Sequence, residues 1–203
     1  MIHSFTKITY YLIFIYSSLV SAQTNDRVDN ILLNGKWAII FDQDNRGGVE
    51  KWHLNRVFEK QKEVSDVQVP SHWETIKKDY EGVVFYKKSF RMPESWNEGV
   101  FILHFEAVNY KAEVWVNDQA VGTHEGGFTP FSFQVDEVLK PGEINHIIMR
   151  VVGPILITDQ RIDEMGRMEV PQWRGAITGG IWQDVWIQRR GNVTIHDVFL
   201  QPD

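Results

Sequence analysis

The apolar residues of this chain recur in short runs with period two, and that spacing argues for strands and against a helical core. The run 36–41 reads KWAIIF and is opened by Asn34-Gly35. Residues 67–69 end at Pro70, which stops strand pairing. Further β-rich runs lie at 83–90, 100–105, 113–116, 147–152, 181–187 and 193–200. In 113–116 (EVWV), Val114 and Val116 share one face, and Glu113 and Trp115 the other. The run 100–105 (VFILHF) is apolar on both faces, which predicts a central strand. The one helix candidate is a weak stretch at 55–62. Short strands separated by turn signals predict an all-β sandwich or barrel.

A sandwich of this kind needs a core, and the chain has to build it without covalent staples. There is no cysteine among its 203 residues, which excludes disulfides and thiolate metal sites. The 12 Phe, 8 Trp and 6 Tyr supply large apolar surfaces instead. Trp37, Trp115, Trp182 and Trp186 lie on strand runs and are expected in the core, whereas Trp73 sits at a strand end after Pro70. The net charge of −6 carries no clustered Lys and Arg, so the chain lacks the signature of a nucleic-acid surface.

The N-terminus is set apart from this pattern. Lys7 precedes an apolar run at 8–20, and Val20-Ser21-Ala22 presents small residues where a signal peptidase reads. The run is short for a bilayer span, which takes roughly 20 residues. It predicts a signal peptide over 1–22, no membrane span after cleavage, and a periplasmic or secreted protein whose sandwich occupies 23–192.

Two connections carry information. Asn117-Asp118-Gln119-Ala120 between Val116 and Val121 predicts a tight hairpin, because Asn and Asp tolerate positive φ. The 154–178 stretch is a long loop rich in charge, including Asp159, Arg161, Asp163, Glu164, Arg167, Glu169 and Arg174. Loops of that length are uncommon in compact domains and are commonly functional, so this one is the expected interaction site. No metal site is expected. Residues 42–47 look like the start of a calcium loop, but the twelfth position is His53 and not Glu. His124-Glu125 lacks a second His.

Several segments in order resemble the N-terminal sugar-binding domain of glycoside hydrolase family 2, the family of β-galactosidases, β-glucuronidases and β-mannosidases. They are Asn34-Gly35-Lys36-Trp37, the stretch VQVPSHW at 67–73, GVVFYKKSF at 82–90, LHFEAVNYKAEVWVNDQAVGTHEGGFTPFSF at 103–133, and GGIWQDVW at 179–186. Asp118 stands where the family commonly has the hairpin Gly, and Ala107 where Gly is common. The resemblance implies a jelly-roll-like, galactose-binding-domain-like β-sandwich, and it makes 193–203 the opening strand of an immunoglobulin-like domain. The family's two catalytic glutamates sit on a (β/α)8 barrel that has no counterpart in these residues, so no catalytic residue and no cofactor are expected. A retaining hydrolase needs two carboxyl groups roughly 5–5.5 Å apart, and acids on a loop rarely hold that geometry.

What the resemblance does imply is a loop that contacts the non-reducing sugar. Trp173-Arg174 matches a Trp-Arg pair that an Asp precedes in β-galactosidase-like members. Pro171 and Gln172 stand in the place of that acid here, and Glu169 is the substitute. Trp173 as a stacking platform, Arg174 as an anion clamp, Glu169 and the neighbouring Asp163 form the candidate carbohydrate site; Arg174 would suit an acidic sugar. The expected function is a non-catalytic, carbohydrate-associated domain of a β-galactosidase- or β-glucuronidase-like glycosidase. The alternatives are a free-standing carbohydrate-binding module, a non-catalytic subunit docking on a separately encoded glycosidase, and a jelly-roll lyase using His72, Tyr86, His104 or Arg174.

Overall fold

The computed structural model describes residues 29–167, 179–191, 199 and 201. The expected leader at 1–22, nearly all of 193–203, and Glu169, Trp173 and Arg174 lie outside them. The described residues form an all-β sandwich. Its strands are β1 (Asp29–Leu32), β2 (Gly35–Asp42), β3 (Ser65–Val69), β4 (Val83–Arg91), β5 (Val100–Phe105), β6 (Val108–Asn109), β7 (Lys111–Val116), β8 (Gln119–Glu125), β9 (Phe131–Gln134), β10 (Ile144–Val152), β11 (Gly180–Ile181) and β12 (Val185–Arg190). One sheet has the order β1-β12-β5-β9 and the other β3-β2-β4-β10-β7-β8, while β11 pairs with β6 in a two-stranded ribbon.

Alternation decides which side chains meet between the two large sheets. Trp37, Tyr86, Val114, Val116 and Met149 from the six-stranded sheet pack with Leu103, Phe105 and Ile187 from the four-stranded one. Each such residue contributes roughly 1.5–3 kcal/mol by leaving water. The hairpin between β7 and β8 forms as its residues dictate, with Asn117 at φ 49° and Asp118 at φ 70°. The Asn117 side chain then bridges to the Val138 carbonyl at 2.7 Å and accepts from the His146 backbone N–H at 3.0 Å.

The six-stranded sheet is covered on its second face as well. Ile40, Phe85, Ile148 and Val152 pack there beneath Trp52 and Phe58 from the segment after β2, and beneath Ile155 and Ile162 from the loop after β10. A strand buried on both faces needs an unbroken apolar run, which is why β10 reads IIMRVV from Ile147. Arg150 is the charged exception in that run.

Some expectations are corrected. The helix candidate at 55–62 shrinks to a single turn, Asn55–Phe58, with no side-chain cap. The run 181–187 is broken between β11 and β12, because Asn34 captures the break: its amide donates to Asp184 at 2.7 Å and its oxygen accepts from the Val185 N–H at 3.0 Å. The strand 100–105 is central, lying between β12 and β9, but its burial alternates and its second face is only half-buried. Of the four tryptophans expected in the core only Trp37 is there; Trp115, Trp182 and Trp186 are half-buried. Trp186 stacks on His104 on the outer face of the four-stranded sheet, and Trp73 is wholly buried.

Candidate functional site

Arg150 reaches from β10 into the gap between the two covering segments, and three side chains meet it. Its Nη1 donates to Glu113 at 2.8 Å and to Asp163, and its Nη2 donates to Asp163 at 3.1 Å and Asn45 at 3.0 Å. Asp163 is delivered by local geometry. Asp163 and Glu164 both adopt positive φ, and reciprocal 2.9 Å bonds between Ile162 and Met165 close the turn. Burial works against the Arg150 charge, but Asp163 and Glu113 outweigh it and hold its pKa above the usual guanidinium value. The Arg150 hydrogen bond in turn holds the Asp163 carboxyl below the usual carboxylate range.

Around this cluster lies a pocket of about 360 Å³, lined also by Trp115, His53 and Phe85. The His53 ring stacks on Trp115 with centroids 4.9 Å apart, and burial lowers its pKa, so it is neutral near pH 7. Arg150 faces two carboxylates here, and Lys111 adds a second positive charge that also lowers the Asp163 pKa.

The long loop is anchored at both described ends. At its start the Glu81 carboxylate accepts from the backbone N–H groups of Leu156 (2.6 Å), Ile157 (2.6 Å) and Thr158 (2.9 Å), and from the Thr158 hydroxyl at 2.7 Å. Desolvation opposes the Glu81 charge, yet these donors prevail and lower its pKa. At the far end Gly179 donates to Glu74 at 3.0 Å and accepts from the Trp73 N–H at 3.0 Å. A Cβ on Gly179 would lie 1.9 Å from the Trp73 ring, so only glycine fits. Gly180, at φ +114°, packs against the Tyr86 hydroxyl, where a Cβ would approach to 2.6 Å. Burial raises the Glu74 pKa, and its Oε2 has no hydrogen-bond partner.

Beside this root, Trp182 donates to the Gly127 carbonyl at 2.9 Å, stacks on His72 at 6.0 Å and meets Phe128 edge-on at 5.5 Å. Phe128 is 72 % exposed. Of the four candidate carbohydrate residues, Asp163 thus lies on the Arg150 cluster, and Glu169, Trp173 and Arg174 fall outside the described residues. Sequence reasoning missed Arg150, although a lone charge inside an apolar strand run was a visible signal. It also read Trp115 and Trp182 as core.

The family model for "Glycosyl hydrolases family 2, sugar binding domain" matches residues 31–190. The chain belongs to this family. Among curated relatives of this family 2 domain, a beta-galactosidase of Thermoanaerobacter pseudethanolicus is 29% identical over 175 residues, covering 84% of this chain and 21% of the relative. A beta-glucuronidase of Paenibacillus borealis is 33% identical over 129 residues, covering 61% of this chain and 21% of the relative. The chain therefore spans about a fifth of the length of these relatives. In fold it is similar to a solved b-glucuronidase from Ruminococcus gnavus in complex with D-glucuronic acid, with a TM-score of 0.68 at 21% identity over 82% of this chain and 30% of that one. Among the described residues, no helix is long and apolar enough to cross a membrane.

Proposed function

We propose that this family 2 domain is the non-catalytic, carbohydrate-associated part of a β-glucuronidase- or β-galactosidase-type glycosidase that breaks down oligosaccharides or polysaccharides. It acts with a hydrolytic domain of a longer protein or with a separately encoded subunit. The observation that supports this most is the match over 31–190 to a domain described as sugar binding. The anchored loop supplies the means. Glu81 and the Trp73–Glu74 pair fix where the chain leaves and rejoins the sandwich, and between them the sequence carries Glu169, Trp173 and Arg174. Trp173 is the stacking platform, Arg174 the donor pair for a uronate carboxylate, and Glu169 an acceptor for sugar hydroxyls. The leader-like residues 1–22 support export to the periplasm or beyond.

The test is saturation-transfer NMR of the full chain with sodium glucuronate and with methyl β-galactoside. Glucuronate contact that Arg174→Ala abolishes is the expected result. Equal signals in the wild type and the variant contradict the assignment of Arg174. The exposed Phe128 and half-buried Trp182 favour a second reading, a free-standing carbohydrate-binding module, in which glycoside contact by the chain is lost with Phe128→Ala or Trp182→Ala and survives Arg174→Ala.

A further inference from the structure

We propose that Asn34-Gly35 is a self-modification site, at which the Gly35 backbone nitrogen closes on the Asn34 side chain to a succinimide, and that the acid formed from it cannot refasten the break between β11 and β12. The Asn34 side chain ties the turn between β1 and β2 to that break with one donor and one acceptor. Its Nδ2 donates to Asp184 Oδ1 at 2.7 Å, and its Oδ1 accepts from the Val185 N–H at 3.0 Å. An amide can do both, whereas an ionised carboxyl has no hydrogen to give. Asn34 is also the only asparagine in the sequence that a glycine follows. Without a Cβ on the next residue, the five-membered ring closes with least crowding. Beside Gly35, apart from its chain neighbours, only the Gln68 amide comes within contact of where a Cβ would sit, at 3.9 Å.

Lys88 supplies the activation. Its Nζ donates to the Asn34 carbonyl oxygen at 3.1 Å, and that oxygen shares a peptide unit with the Gly35 N–H. An ammonium on the oxygen draws charge from the nitrogen and stabilises the amide anion that attacks. The Gly35 nitrogen bonds to Asn34 Cγ, the Cγ–Nδ2 bond breaks, and ammonia leaves with the proton given up by Gly35. Water then adds to either ring carbonyl. One opening gives aspartate, the other isoaspartate, whose main chain runs through the former side-chain carbon.

The fold gates this step and makes it one-way. While both side-chain bonds hold, Asn34 is not free to turn onto Gly35, so ring closure waits for local opening of the break. Afterwards a carboxylate meets Asp184 where an amide donor stood, and repulsion replaces a charge-assisted hydrogen bond. Lys88 softens the repulsion but returns no donor to Asp184. The segment released is the one that carries Trp182, between β11 and β12. The chemistry needs residues 34, 35, 88 and 184–185, and so holds whether or not the domain binds sugar.

Holding the full chain in mildly alkaline buffer tests it, with peptide mass spectrometry to locate the conversion and ion exchange to collect the chains that have gained a negative charge. Asn34 is expected to convert about tenfold or more faster than the exposed Asn97, which Glu98 follows. Lys88→Met is expected to slow the conversion, and Asp184→Ala, which frees Nδ2, to speed it. In the collected chains, hydrogen exchange at residues 182–185 is expected to rise about tenfold while β4 and β10 amides stay protected. Conversion at Asn34 no faster than at Asn97 overturns the proposal. So does a rate that neither Lys88→Met nor Asp184→Ala alters, and so does a converted fraction whose 182–185 amides exchange as they do in fresh protein.

Discussion

Arg150 grips both carboxylate oxygens of Asp163, and through that fork the loop after β10 is tied to the strand it has just left. Arg150 is 6% and Asp163 27% exposed in the side chain, so one partner is buried and the other sits at the rim. Truncating one partner of a buried pair strands the other's charge, which costs about 3–5 kcal/mol when both are buried. With Asp163 partly in solvent, Asp163→Ala is expected to cost about 2–3 kcal/mol, read from urea unfolding.

The same contact sets a direction in pH. The folded Asp163 pKa lies below its unfolded value of about 3.9, so its contribution is present above that value. It is lost as pH falls through the lowered folded pKa. Wild-type unfolding free energy should therefore drop on acidification below about pH 4 more steeply than that of Asp163→Asn. Parallel profiles would show that the pair contributes nothing to acid sensitivity.

Glu74 predicts the opposite sign. Burial raises its folded pKa, so its ionisation is disfavoured in the fold, and stability falls as pH rises through that pKa. Gln keeps an acceptor for the Gly179 N–H and removes the charge. Glu74→Gln is expected to gain about 1 kcal/mol at neutral pH and to gain nothing at low pH, by thermal denaturation at both values.

Gly179 has no room for a methyl group beside Trp73. Trp73 is fully buried and its ring also meets Tyr80 edge-on at 5.9 Å, so it cannot step aside cheaply. Gly179→Ala is expected to cost about 3 kcal/mol as overpacking, with the melting temperature as the readout.

At the other loop end, the Glu81 carboxylate accepts from three successive backbone donors. Glu81→Ala is expected to raise hydrogen exchange at residues 156–158 by about tenfold or more, while β4 and β10 amides stay protected.

The sandwich was legible where one physical rule acted alone. Alternation placed Val114 and Val116 inside, and Asn117-Asp118 announced a turn that needs positive φ twice. The second covered face was not legible, because Trp52 and Phe58 reach it from a segment with almost no regular structure and so with no period to read. The break at 182–184 escaped for a related reason, since Asn34 enforces it from about 150 residues away in sequence. At the site, residue type pointed to Asp163, but its partner could be found only in three dimensions. Arg150 comes from a strand and Asn45 from a loop, and no spacing rule joins them to Asp163.

The most direct test of the proposed non-catalytic role is release of the aryl group from an aryl β-glucuronide and an aryl β-galactoside by the purified chain. The prediction is a rate equal to buffer, unchanged by Glu169→Gln or Asp163→Asn. Turnover that survives purification and disappears with either substitution would contradict it.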